Sequence, residues 1–192
     1  KEGYYVYRNL NFVPMGFCYD YFMTEDYANS FYDGSKTRMM LKAVVLNKTQ
    51  IAKYSAILDN IQDIEFDAVT YPDNTYEDMV DTDNTSSEYE LEEVVVPDSA
   101  PPLHALTDER LSADCTNLQS NAVSSFKTDN KGFTATITRD KKSLLFFSIP
   151  YDKGWSATVN GKKAEIERVN AGFMAVAIPE GASVVRFDYT TP

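Results

Sequence analysis

One histidine, two cysteines and one tryptophan occur in 192 residues, and each scarcity removes a class of chemistry. A Ser-His-Asp triad or a Cys-His pair would have to use His104. That histidine sits in the loop-like run Pro101-Pro102-Leu103-His104, with no nucleophile-elbow sequence nearby. Cys18 and Cys115 are too few and too far apart for a zinc cluster or a redox CxxC pair. They read as buried free thiols, with a Cys18–Cys115 disulfide as the alternative in an oxidising compartment. Neither GxGxxG nor GxxxxGK[ST] is present, which removes phosphate-loop and dinucleotide chemistry. Apolar stretches such as Leu144 to Phe147, continued at Ile149 across Ser148, fall far short of the ~20 residues that span a bilayer. Positive charge is scarce too: 18 Lys+Arg stand against 29 Asp+Glu, a net of −11 that excludes a generally basic nucleic-acid binder.

The acid is unevenly spread. Sixteen of the 29 acidic residues fall between Tyr54 and Glu109, where there is no Lys or Arg, so the rest of the chain has 18 bases against 13 acids. Within that stretch, Tyr71 to Pro102 is rich in Asp, Asn, Thr and Ser and reads as an insertion, with Glu90–Val96 as a possible edge strand. Asp81, Asp83 and Glu92 copy part of the spacing of a calcium loop, but Ser86 stands where its glycine belongs, and a solvated acidic loop is the expectation. No residue set calls for a metal or a cofactor. The chain starts at Lys1 without a methionine or signal-type region, and it is expected to be a piece of something longer.

What is present is aromatic and β-branched. Gly3 to Asn9 reads as a strand broken by Pro14-Met15-Gly16. Thr24 followed by Glu25 and Asp26 reads as a helix start, with Thr24 as cap and acids in the first turn. A second short helix is expected from about Asp33–Lys36 through Met39, Met40, Val44 and Val45. A third is expected from Thr49 to about Asn60. From Ala113 onward about seven short strands follow one another, with Asn160-Gly161 as a hairpin turn whose residues tolerate positive φ. Ser143–Ile149 is the continuous apolar kind buried on both faces. The fold class is therefore α+β: an antiparallel β-sandwich, jelly-roll-like, at 113–192, an acidic insertion at 67–112, and a strand plus short helices at 1–66 packing on the sandwich.

The block Phe146-Phe147-Ser148-Ile149-Pro150-Tyr151-Asp152-Lys153-Gly154-Trp155 through Asn160-Gly161, followed by Val169-Asn170-Ala171-Gly172-Phe173 and Pro179-Glu180-Gly181, resembles the C-terminal extracytoplasmic domain of YfhO-type bacterial membrane proteins. Tyr7-Arg8-Asn9, Phe12 to Phe17, Tyr19-Asp20 and Leu41 to Leu46 are similar to that family as well. The resemblance implies a polytopic parent of the polyprenyl-linked glycosyltransferase class, decorating lipoteichoic acid or related envelope polymers. The catalytic acids of such proteins are expected in loops outside this chain, so no catalytic residue is carried over. The implied partners are the transmembrane remainder of the parent and an anionic glycopolymer or polyprenyl-linked sugar, with no nucleic acid. The implied location is the extracytoplasmic face of the membrane. A free-standing carbohydrate-binding sandwich is the alternative.

Candidate ligand residues follow from side-chain chemistry. Tyr151 and Trp155 would stack on a sugar at a rim, with Asp152 or Asn160 accepting hydroxyl hydrogen bonds. The structural alternative makes Trp155 a core plug and Gly154 a point of close approach between strands. Tyr19 and Asp20, with the aromatic N-terminus, would line a groove or else pack the N-terminal segment on the sandwich.

Overall fold

A computed structural model describes residues 4, 6–31, 33–64 and 108–191. The expected acidic insertion, the Glu90–Val96 strand, the calcium-like loop and His104 lie outside the described residues.

Two antiparallel sheets form the sandwich. Strands β1 (Gly16–Cys18), β7 (Ser143–Pro150), β11 (Phe173–Ile178) and β10 (Glu167–Val169) make one sheet in the order β1-β7-β11-β10. Strands β5 (Ser125–Thr128), β6 (Gly132–Arg139), β12 (Gly181–Tyr189), β8 (Trp155–Val159) and β9 (Lys162–Ala164) make the other, in the order β5-β6-β12-β8-β9. Alternation along each strand sorts its side chains between layers. Leu145 and Phe147 of β7, Met174, Val176 and Ile178 of β11, and Val185 and Phe187 of β12 meet in the core between the sheets. The β8–β9 turn adopts positive φ at Asn160 (51°) and Gly161 (75°), the geometry that an Asn-Gly hairpin supplies at low cost.

The four-stranded sheet is covered on its other face. Leu144 and Phe146 of β7, Phe17 of β1 and Ala175 of β11 pack against Phe22, Val44, Leu46, Tyr54 and Leu118. Both faces of β7 are thus buried from Ser143 to Phe147, and the expectation of double burial through Ile149 stops there, with Ser148 and Pro150 exposed and Ile149 partly buried. The covering layer is a small parallel sheet, β3-β2-β4, built from β2 (Tyr21–Thr24), β3 (Ala43–Leu46) and β4 (Asp59–Asn60). Its far face holds Met23, Ala43 and Val45 against Ala28, Phe31 and Met39. These last come from α1 (Glu25–Asn29), the turn after it, and α2 (Asp33–Met39). Helix α3 (Lys48–Tyr54) links β3 to β4, and α4 (Asp108–Ser120) contributes Leu118.

Four local expectations change. Among the described residues of the N-terminal aromatic run, Tyr4 and Val6 to Asn9, none is in a strand: Tyr4 is 96% exposed and Val6 95%. The strand forms after Pro14, at Gly16–Cys18, because a Cβ at Gly16 would come within 2.8 Å of the Phe147 ring and only glycine lets the chain approach β7. Val44 and Val45 belong to β3 rather than to the second helix, which ends at Met39; a short buried β-branched run fits either periodicity. The third helix stops at Tyr54, where the amides of Ile57 and Leu58 both turn back onto the Tyr54 carbonyl and the chain enters β4. Strands do not begin at Ala113, since α4 runs to Ser120 with Leu111, Cys115 and Leu118 at helical spacing on its inward side. The Thr24 cap agrees with the sequence reading, its side chain accepting from the Tyr27 amide at 3.1 Å; α3 has a cap that was not expected, Asn47 in a reciprocal pair with Gln50.

Candidate functional site

One end of the sandwich carries an open cleft. There the β5–β6 turn, the end of β7, the start of β8 and the end of β12 surround a cleft of about 520 Å³. Its walls are Met15, Phe126, Phe133, Ile149, Trp155 and Tyr189, with Thr128 to Gly132 on the turn side. The rings form one stack that runs out of the core. Phe187 lies parallel to Phe133 at 4.7 Å and Phe133 stacks on Phe126 at 5.0 Å, while Trp155 meets Phe133 edge-on at 5.7 Å and Tyr189 at 5.0 Å. Such offset and edge-to-face arrangements suit the ring quadrupoles. Trp155 is half-buried, and Tyr189 and Met15 are 39% and 43% exposed.

The cleft's rim is held by charge and turns. Arg186 donates to Asp129 and Asp188, and Asp129 also accepts from the amides of Lys131 and Gly132 at 2.8 and 3.0 Å. The Arg186 hydrogen bonds, helped by those amides, hold the Asp129 carboxyl well below the usual range. Asp152 accepts from the Gly154 amide at 2.7 Å and from the Tyr189 hydroxyl. Burial and that carboxylate together push the Tyr189 phenol up. Gly154 fits because a Cβ would lie 2.3 Å from the Thr190 carbonyl oxygen, the close strand approach that the sequence offered as one alternative.

The six sequence-derived candidates do not converge. Trp155 lines the cleft, and Tyr151, 40% exposed, stands on the loop leading to it. Asp152 spends its carboxylate on that loop and on Tyr189. Asn160 sits at the opposite end of β8, where its side chain accepts from the Val184 amide and its own amide donates to the Val184 carbonyl, both at 2.8 Å. Tyr19 is buried, with its hydroxyl donating to the Met40 carbonyl at 2.6 Å and accepting from Asn170, so it presents no ring face to solvent. Burial drives its phenol upward. Asp20 is held at the layer junction by Lys141 at 3.2 Å, Arg139 at 3.7 Å and Asn121 at 3.2 Å.

A second polar cluster went unread in the sequence. Glu167 on β10 is buried and accepts from Gln50 at 3.0 Å, Lys53 at 2.9 Å and Tyr54 at 2.8 Å, all from α3. Burial raises its carboxyl, but the three donors outweigh that and leave it below the ordinary value. Beside it, Asn170, at φ 49°, accepts from the Val45 amide at 2.6 Å. Both arrangements clamp the α/β layer onto the sandwich. Cys18 and Cys115 are free and buried. Burial carries the Cys18 thiol to about 12, which makes it a poor nucleophile. Among the described residues no group of three metal-ligating side chains converges, and no helix is long and apolar enough to cross a membrane.

Fold and cleft together define a β-sandwich domain with an aromatic mouth at one end. The family model described as bacterial membrane protein YfhO matches residues 99–192, which cover α4 and every strand from β5 to β12. This C-terminal segment is a YfhO-type membrane-protein domain. No curated protein and no solved structure matches the chain.

Proposed function

We propose that the chain is an extracytoplasmic accessory domain of a multi-pass membrane glycosyltransferase acting on lipoteichoic acid or a related cell-envelope polymer, and that it contributes binding rather than bond chemistry. The observation that carries this reading is the match of the sandwich to a bacterial membrane-protein family. The use of the charged groups supports it: Asp129, Glu167 and Asp20 are each spent on holding layers or turns together. Its partners would be the membrane-embedded remainder of the parent and an anionic glycopolymer or polyprenyl-linked sugar. The test places a cysteine at exposed Ser156 of the full-length protein in living cells and reads it against the parent protein without that cysteine, Cys18 and Cys115 of this domain being buried. Labelling of intact cells by a membrane-impermeant maleimide, with loss of polymer glycosylation when the domain is deleted, is the expected result. Labelling only after lysis, or unchanged glycosylation with the deleted protein still in the membrane, overturns it.

The aromatic cleft favours a second reading, a free-standing carbohydrate-binding module. It requires the isolated chain to bind a glycan and Trp155→Ala to abolish that binding.

A further inference from the structure

We infer that the cleft end of the sandwich, carrying Met15, Tyr151, Trp155 and Tyr189, is a membrane-contact surface that seats in the interfacial zone of a lipid bilayer. The inference rests on the membrane-protein part of the proposed function and not on glycosyl transfer.

Three independent observations converge on this end. The first is the distribution of exposed apolar side chains. Of the nine large ones that stand out among the described residues, three, Met15, Tyr151 and Tyr189, stand together at the cleft end. A segregated apolar face of this kind marks an interaction surface, where scattered single residues would not.

The second is the path of the chain. The Met15 carbonyl accepts from the Ser148 amide at 2.9 Å, which brings the incoming polypeptide beside the end of β7. On the way out, the Tyr189 amide donates to Lys131 at 2.7 Å and the Thr190 amide to Gly154 at 3.0 Å. Both passages therefore run along the rim of one cleft. Met15 and Tyr189 are thereby fixed on that rim by backbone hydrogen bonds, so their apolar side chains form one held surface.

The third is chemical. Tyrosine and tryptophan favour the headgroup region, where an apolar ring body and a polar edge are both satisfied. The carboxylates at this end are engaged internally, Asp129 and Asp188 by Arg186 and Asp152 by the Gly154 amide and Tyr189 hydroxyl. Lys127, Lys131 and Lys153 are exposed around them. Lysines there can keep their charge at lipid phosphates while their stems cover apolar surface.

The single tryptophan makes the test site-specific, because all tryptophan emission comes from this end. The chain is titrated with vesicles of phosphatidylethanolamine and phosphatidylglycerol, and separately with vesicles whose acyl chains carry bromine. The expected result is a shift of Trp155 emission to shorter wavelength and quenching by the brominated lipid. Combining Met15→Asp with Tyr151→Ser should weaken partitioning about tenfold, with an unchanged far-ultraviolet spectrum and unfolding midpoint showing that the fold persists. Emission that stays constant up to millimolar lipid overturns the inference. So does vesicle binding without quenching, which puts the contact elsewhere. Emission that responds to a soluble teichoic-acid polymer but not to vesicles assigns the cleft to glycan instead, and leaves the accessory role standing. Failure of the maleimide test with success here would remove the extracytoplasmic placement alone.

Discussion

Removing the Glu167 carboxylate should separate the two layers energetically before it unfolds either. In Glu167→Ala the buried Tyr54 hydroxyl loses its 2.8 Å acceptor, while Gln50 retains one partner, the Arg168 carbonyl at 3.0 Å. Leaving a buried polar group unpaired costs about 1–3 kcal/mol, and the second lost bond adds about 1 kcal/mol. Lys53, 39% exposed, returns to water at little cost. The sum is about 3 kcal/mol, or a fall in melting temperature of roughly 6–12 °C for a chain of this size. Glu167→Gln keeps an acceptor for Tyr54 but turns an amide donor toward another donor, and should cost about 1–2 kcal/mol. A double-mutant cycle with Tyr54→Phe, read by urea denaturation and calorimetry at neutral pH, should return a coupling of about 1 kcal/mol. The pH dependence has a fixed sign. The folded carboxyl holds its proton less firmly than the unfolded one, so its stabilisation is complete above the unfolded value near 4.5 and is lost as pH falls through the lower folded value. An alanine variant within about 0.5 kcal/mol of the parent, or a cycle with no coupling, would refute the clamp.

Two further outcomes follow from contacts already described. Gly132→Ala places a Cβ 2.0 Å from the Phe187 carbonyl oxygen, a backbone atom that cannot turn aside, so it should destabilise by about 2–4 kcal/mol and loosen the β6–β12 pairing seen by hydrogen exchange. Cys18 and Cys115 should react with a disulfide reagent as two thiols in denaturant and only slowly in the native chain. Native modification at the denatured rate would show that neither is buried.

What could be read from the sequence was what short-range chemistry dictates. The turn at Asn160-Gly161 and the strands flanking it are specified within a few residues, as is the Thr24 cap. Ser143–Ile149 declared itself as doubly buried because its apolar run offers no polar face, and the structure bears this out as far as Phe147. The parallel sheet did not, since Ala43–Leu46 is only four residues long and is apolar on both faces, which fits a helix turn as well as a strand. Helix α4 carries few apolar residues, and its Leu111, Cys115 and Leu118 stripe is visible only once looked for. The Glu167 cluster was out of reach for a different reason: its partners lie 113 to 117 residues away, and no local pattern encodes which glutamate meets which tyrosine. Of the candidate ligand residues, Trp155 reached the cleft because it ends a strand at the open mouth. Asn160 was taken by the turn it makes, and Tyr19 by the layer it joins.

The pairing of β1 with β7 means that the inherited segment and the folding unit do not coincide. Residues 99–192 carry the family match, yet Cys18, fully buried in the sandwich core, and Phe17, buried on the opposite face of the same sheet, arrive from outside that segment. An isolated C-terminal half would expose the flank of β7 where β1 pairs, an open strand edge bordered by Phe146 and Phe147, which is the kind of surface through which proteins associate edge to edge. During synthesis that edge stays open until Gly16–Cys18, made long before β7, return to close it.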